Sequence, residues 1–134
     1  MTLSSELVEH IADARLSAHL ATTVEDRPHV APVWYLYEDG QLLVMTGGRK
    51  VDNVRENGRV AVSIERADES GVEWTATILG TASVVDDPDR AREVDRRLAR
   101  KYAGFPGSPD EGGTSPSGYS LLVIDIGSGS LRTY

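Results

Sequence analysis

The pair Asp39-Gly40 constrains this chain more than any other feature. It separates two runs of strand-forming residues, 29–37 and 42–46. An Asp-Gly pair supplies the left-handed residues of a tight hairpin, so the two runs are expected to lie antiparallel. Glu25-Asp26-Arg27-Pro28 reads as a turn between a strand-like stretch 17–24 and the run at 29–37. Residues 59–65 alternate Val60, Val62 and Ile64 with polar neighbours, the signature of a half-buried strand. A polar loop at 67–71 then leads to a long strand, 72 to about 85. The chain closes with a strand at 119–126, a turn at Gly127-Ser128-Gly129-Ser130, and a short strand 131–134. Hairpin turns between neighbouring strands favour an antiparallel barrel over a parallel sheet.

Helices sit at the periphery of this pattern. Residues 3–15 place Leu3, Leu7, Val8, Ile11 and Ala12 on one face, with Thr2 or Ser4 as the cap. A short helix is expected over 50–57, with Gly58 after its end. Asp86-Asp87-Pro88 opens a third helix, with cap and proline in the favoured order. Its buried stripe is Ala91, Val94, Leu98 and Tyr102. Its outer face carries Arg90, Arg92, Arg96, Arg97, Arg100 and Lys101. Asp89, Glu93 and Asp95 interleave with these cations, Glu93 and Arg97 form a favourable i,i+4 pair, and no aromatic platform accompanies them. A solvated or partner-facing surface is therefore expected there, not a nucleic-acid site. Residues 104–118 hold five glycines and three prolines and read as a linker or a lid.

At 134 residues, 1–134 is expected to form a single domain with its own core. Asp and Glu number 21 against 14 Lys and Arg, a formal charge of −7, which disfavours nucleic acid and anionic membrane as partners. The bias to twelve arginines and two lysines fits either a salt-rich cytoplasm or GC-rich codons. With no cysteine, disulfides, thiolate metal sites and cysteine nucleophiles are excluded. No run approaches the ~20 apolar residues of a membrane span, and no signal pattern opens the chain, so a cytoplasmic location is expected. His10, His19 and His29 form no HxxxH or HExxH pair, and no metal site is expected. GxSxG is absent, and Asp86-Asp87 reads as a helix cap.

The chemistry concentrates at Thr46-Gly47-Gly48-Arg49-Lys50-Val51-Asp52-Asn53. Two glycines allow close backbone approach, and a cation pair follows at a helix start, where free N–H groups favour an anion. The spacing is neither GxxxxGK[ST] nor GxGxxG, so the anion is not held as in a nucleotide P-loop. An ordinary strand-to-helix turn with a solvated Arg-Lys pair would look the same locally. Upstream, Pro32-Val33-Trp34-Tyr35 is either core or the wall of a flat ligand site. Pro32 within a strand implies an edge, a bulge or an unpaired ladder position.

In combination these segments resemble the pyridoxamine 5′-phosphate oxidase-like family of FMN-binding split β-barrels. The resemblance rests on Leu20-Ala21-Thr22-Thr23, Arg27-Pro28-His29-Val30-Ala31-Pro32-Val33-Trp34-Tyr35, Thr46 to Asn53, Arg59-Val60-Ala61-Val62 and Gly80-Thr81-Ala82. It implies a mainly β, antiparallel split barrel with peripheral helices, homodimeric, with two cofactor sites at the subunit interface. Arg49 and Lys50 would hold the FMN phosphate, supported by Thr46 and Asn53. Pro32, Val33 and Trp34 would lie along the isoalloxazine ring, and Trp74 and Thr75 would reach the partner's flavin, although true oxidases tend to have Arg-Gln at that pair. The implied activity is hydride transfer through the flavin to a small organic acceptor. Where vitamin B6 oxidases carry an arginine and a lysine, this chain has Ala31 and Leu36. Their C-terminal substrate-binding segment has no counterpart after Leu131-Arg132-Thr133-Tyr134, so B6 oxidation is not expected. The deazaflavin F420, bound by the same cradle in a reductase of the same fold, is the near alternative. A non-catalytic flavin- or haem-binding protein, or a structural dimer with an empty site, is the more distant one.

Overall fold

The computed structural model describes residues 3–105 and 118–134. Most of the glycine- and proline-rich stretch 104–118 therefore lies outside the described residues. The elements run α1 (Ser5–Ile11), β1 (Ala18–Val24), β2 (Arg27–Val33), β3 (Leu36–Glu38), β4 (Gln41–Thr46), α2 (Arg49–Glu56), β5 (Arg59–Asp68), β6 (Gly71–Val85), α3 (Pro88–Lys101) and β7 (Ser120–Thr133). Every strand pairing is antiparallel, in the sheet order β2-β1-β5-β6-β7-β4-β3. Both expected hairpins are present. Glu25 and Asp26 take φ of 51° and 59°, and Asp39 and Gly40 take 45° and 80°, the paired left-handed residues of a two-residue turn.

One connection closes the barrel. β2 and β3 lie at opposite ends of the sheet order, yet only Trp34 and Tyr35 separate them in sequence. Two residues span at most about 7 Å, so the sheet must curl until its two ends meet. The expected split barrel is the result. The run at 29–37, read as one strand, is thus two, broken where the chain passes from one sheet end to the other. Pro28 and Pro32 are tolerated because β2 pairs only with β1.

Inside the barrel lie Leu20, Val33, Leu42, Val44, Val62, Ile64, Ile78, Leu122 and Ile124. A second core forms where α3 lies against the outer face of β4 and β7, from Leu36, Leu43, Leu121, Val123, Val94, Leu98 and Tyr102. This explains the unbroken apolar run Leu42-Leu43-Val44-Met45, because β4 is covered on both faces. The expected stripe of α3 is the buried one, and Asp87 caps the helix through Arg90 N–H at 3.2 Å, with Pro88 in the first turn. α1 packs at one barrel end, beside Trp74 and Gly129. α2 packs at the other, beside Thr22, Thr23 and Gly58.

Three local readings are corrected. Gly127-Ser128-Gly129-Ser130 is not a turn: β7 continues through it, paired with Leu79–Trp74 of β6, and Gly127 forms the bulge where Leu79 faces Ser128 and Gly80 faces Ile126. The long β6 edge supplies the ladder there, which overrides a composition lacking side chains to pack. Gly58 does follow the end of α2, next to the C-cap Asn57, and a Cβ there would sit 2.6 Å from the carbonyl oxygen of Ala82. Lys101 does not join the outer face of α3. Its Nζ turns inward, donates to the Tyr35 carbonyl at 2.8 Å, and lies 3.9 Å from the Tyr35 ring centroid. Arg97 meets Glu38 at 3.4 Å in place of Glu93.

This corner has a pH signature. Burial lowers the Lys101 pKa to about 8, partly offset by Asp13. Burial raises Tyr35, and pushes Tyr102 up to about 12. From about pH 8 to about 10.5 the unfolded chain holds a proton on Lys101 that the folded chain has released, so stability rises with pH. Above about pH 10 the unfolded tyrosines ionise while the folded ones stay protonated, so stability falls. The urea midpoint is therefore expected to climb from pH 8, peak near pH 10 and then drop. Lys101→Met is expected to lose the climb and keep the fall.

Candidate functional site

β4 runs directly into Gly47-Gly48. Gly48, with φ of 76° and ψ of −149°, occupies a backbone region that only glycine enters without strain. It is also the N-cap of α2, and having no side chain it cannot cap, whereas Ser4 caps α1 and Asp87 caps α3. The first N–H groups of α2 are thereby left for another acceptor. Arg49 is exposed and Lys50 half-buried in that first turn. Among the described residues neither forms an ion pair. The helix dipole disfavours cations here by about 0.3–1 kcal/mol, so their placement works against the stability of α2. Thr46 is buried at the end of β4, opposite Ser120.

The next turns of α2 fix its orientation. Asn53 Nδ2 donates to Thr22 Oγ1 at 3.0 Å, and Asn57 Nδ2 to the Thr23 carbonyl at 3.1 Å. Lys50 and Asn53 stand at helical spacing on one side of α2, and Asn57, its extended C-cap, also turns toward the end of β1. Val51 and Val54 form the adjoining stripe and are buried in the barrel core. Thr22 pairs with His29 across the β1–β2 hairpin, and both belong to the inward-facing alternation. Nδ1 of His29 is buried without a hydrogen-bond partner, alone among the described side chains. Thr46, Arg49, Lys50 and Asn53 are thus brought together, and Thr22 and His29 join them. The cluster is rich in donors and bears two positive charges, which suits an anionic ligand.

The other candidates lie apart. Pro32 faces the outer side of the sheet, Val33 the barrel core, and Trp34 the α3 side. Trp34 stacks on Tyr102, with ring centroids 4.6 Å apart and planes 3° from parallel, and Phe105 meets both rings edge-on. One planar ligand can meet all three residues only along the β2 backbone, whose outer edge has no strand partner. Trp74 is buried at the α1 end, edge-on to His10 at 5.4 Å, while Thr75 is half-buried on the opposite face of β6. Gly58, beside α2, meets Ala82, eight residues along β6 from Trp74 and about 26 Å away. Within one chain, then, Trp74 and Thr75 do not join the α2 cluster. Among the described residues no group of three His, Asp or Glu could hold a metal, and no helix is long and apolar enough to cross a membrane.

Solved structures share this architecture. A FAD-binding protein from Mesorhizobium loti aligns over 100% of this chain and 97% of its own, with TM-score 0.76 and 21% identity. An F420 reductase aligns over 91% and 94%, with TM-score 0.69 and 23% identity. General Stress Protein 26 from Bacillus anthracis aligns over 96% and 97%, with TM-score 0.67 and 20% identity. Identities this low speak for the fold alone. No curated protein matches the chain. The family model described as pyridoxamine 5′-phosphate oxidase matches residues 4–132, nearly the whole chain, and the protein belongs to that family.

Proposed function

We propose that the protein is an FMN-binding oxidoreductase, a homodimer that acts on a small organic acceptor and not on vitamin B6. The observation that carries this reading is the start of α2. Its N-terminus is uncapped, Arg49 and Lys50 there form no ion pair among the described residues, and Asn53 one turn on bonds Thr22, the cross-strand neighbour of His29, whose Nδ1 has no partner. An ester phosphate satisfies all of these groups at once. Arg49 and Lys50 supply charge, the first-turn N–H groups supply direction, and the Asn53–Thr22 bond holds the helix at a fixed distance from the sheet. The free backbone edge of β2 along Pro32, Val33 and Trp34 offers hydrogen-bonding groups to the rim of a flat ring. Bound flavin supplies the two-electron chemistry, and the protein's part is to bind, orient and enclose, so the lack of a catalytic dyad is consistent with this role.

The outer face of the sheet supports a second copy as the partner. Val30, Ala21, Ala61, Leu79 and Ser128 stand in one row across five strands, and Pro32, His19, Ser63, Thr77 and Ser130 in the next. Neither row contains Asp, Glu, Lys or Arg, although 26% of the chain is charged. Val30, at the β2 end of the first row, and Leu79 within it are 63% and 56% exposed. Two adjacent uncharged rows suit the middle of a self-complementary interface, flanked by the row in which Thr75 pairs with Glu65 and Arg132. Thr75 stands on the same face, and Thr75 is the member of the Trp74-Thr75 pair whose side chain is free to meet a partner's ligand.

The test is the absorption spectrum of the purified protein, with mass analysis of whatever it releases and its mass in solution. FMN released from a dimer is the expected result. Released F420 would keep the cradle but change the cofactor, a Soret band would replace the reading with haem binding, and failure to bind either added FMN or added F420 would overturn it.

A further inference from the structure

His29 is the one described residue with a buried polar side-chain atom left without a partner. A buried donor or acceptor in that state is destabilising, and native proteins seldom keep one without use. Its surroundings indicate the use. β2 is an edge strand, so His29 is positioned from one side only, by Thr22 directly opposite on β1. Side chains so paired stand about 5 Å apart on the same face. Thr22 Oγ1 is occupied by Asn53 Nδ2 at 3.0 Å, and Asn53 lies one helical turn beyond Arg49 and Lys50. The imidazole therefore stands on the same face as the threonine that holds Asn53, with a nitrogen that no protein group uses.

We propose that His29 is a ligand-binding residue of this cluster, its Nδ1–H held for the phosphate ester that α2 receives. Resting on the reading of α2 as a cofactor-phosphate cradle, this adds a contact from the β1–β2 hairpin. The anion is then gripped from helix and sheet together. The orphaned nitrogen is satisfied only when ligand is present, so ligand binding also relieves a cost carried by the free protein.

The experiment compares FMN affinity and ligand-free thermal stability in the parent, His29→Phe, His29→Asn and Lys50→Ala. His29→Phe removes the nitrogen. His29→Asn keeps a donor near the Nδ1 position. His29→Phe is expected to weaken FMN about tenfold while melting at or above the parent's temperature, and His29→Asn to restore most of the affinity. A purely structural histidine gives the reverse, a lower melting temperature with unchanged affinity, and that result overturns the proposal. Unchanged FMN binding in His29→Phe with weakened binding in Lys50→Ala removes His29 and leaves the cradle standing. Unchanged binding in both removes the cradle as well. If His29→Phe does not fold, NMR of the parent decides: a slowly exchanging Nδ1 proton must appear on saturation with FMN, and His29 ring signals that stay unmoved overturn the assignment.

Discussion

Lys50→Ala is expected to weaken FMN binding ten- to a hundredfold, the effect of losing a charge-assisted contact of ~1.5–3 kcal/mol. The same change should leave the unfolding midpoint where it was, or raise it slightly. Lys50 forms no ion pair among the described residues and sits where the dipole of α2 opposes a cation, so the folded chain gains nothing from it without an anion. Arg49→Ala should weaken FMN less, because Arg49 is exposed and a screened contact contributes less than a half-buried one. A flavin-fluorescence titration of the parent and both variants checks the order. Equal affinity in Lys50→Ala and parent would mean that the phosphate is held elsewhere.

Tyr35→Ala is expected to cost about 3–5 kcal/mol of stability, the range for deleting a buried aromatic ring. Tyr35 is completely buried at the junction that closes the barrel, and α1 and the end of α3 meet on it. Its hydroxyl donates to the Ile11 carbonyl at 2.6 Å, its N–H meets the Tyr102 hydroxyl at 3.4 Å, and its carbonyl receives Lys101. Tyr35→Phe keeps the ring and strands the Ile11 carbonyl, so a smaller loss of about 1–3 kcal/mol is expected. Urea unfolding of both variants separates the contributions. Equal losses would show that the hydroxyl contact to α1, not ring packing, holds the corner.

The elements that sequence defined well are those with local causes. The Glu25-Asp26 and Asp39-Gly40 hairpins, and the caps at Ser4 and Asp87, depend on residues within a few positions of each other, and all four are present. The break at Trp34-Tyr35 depends on the meeting of two sheet ends, which no local pattern announces, so 29–37 read as one strand. Gly127–Ser130 read as a turn because nothing nearby reveals the length of β6. Lys101 read as solvated because helical spacing alone does not show that Tyr35 lies beneath its end of α3.

The candidate site follows the same rule. Thr46 to Asn53 is contiguous and was legible as a unit. Thr22 and His29 come from a hairpin more than twenty residues earlier, and their part in the cluster was not. A signal existed in the alternation of β1 and β2, which places a threonine and a histidine on the inward face opposite each other.

That α2 opens an anion cradle for a cofactor's phosphate ester is tested by titrating the protein with FMN and with riboflavin, which share the ring system and differ by the phosphate. FMN is expected to bind at least about tenfold more tightly, with a gap that narrows as salt is raised, as expected for a contact between charges. Equal affinities, or a preference for riboflavin, would contradict the account.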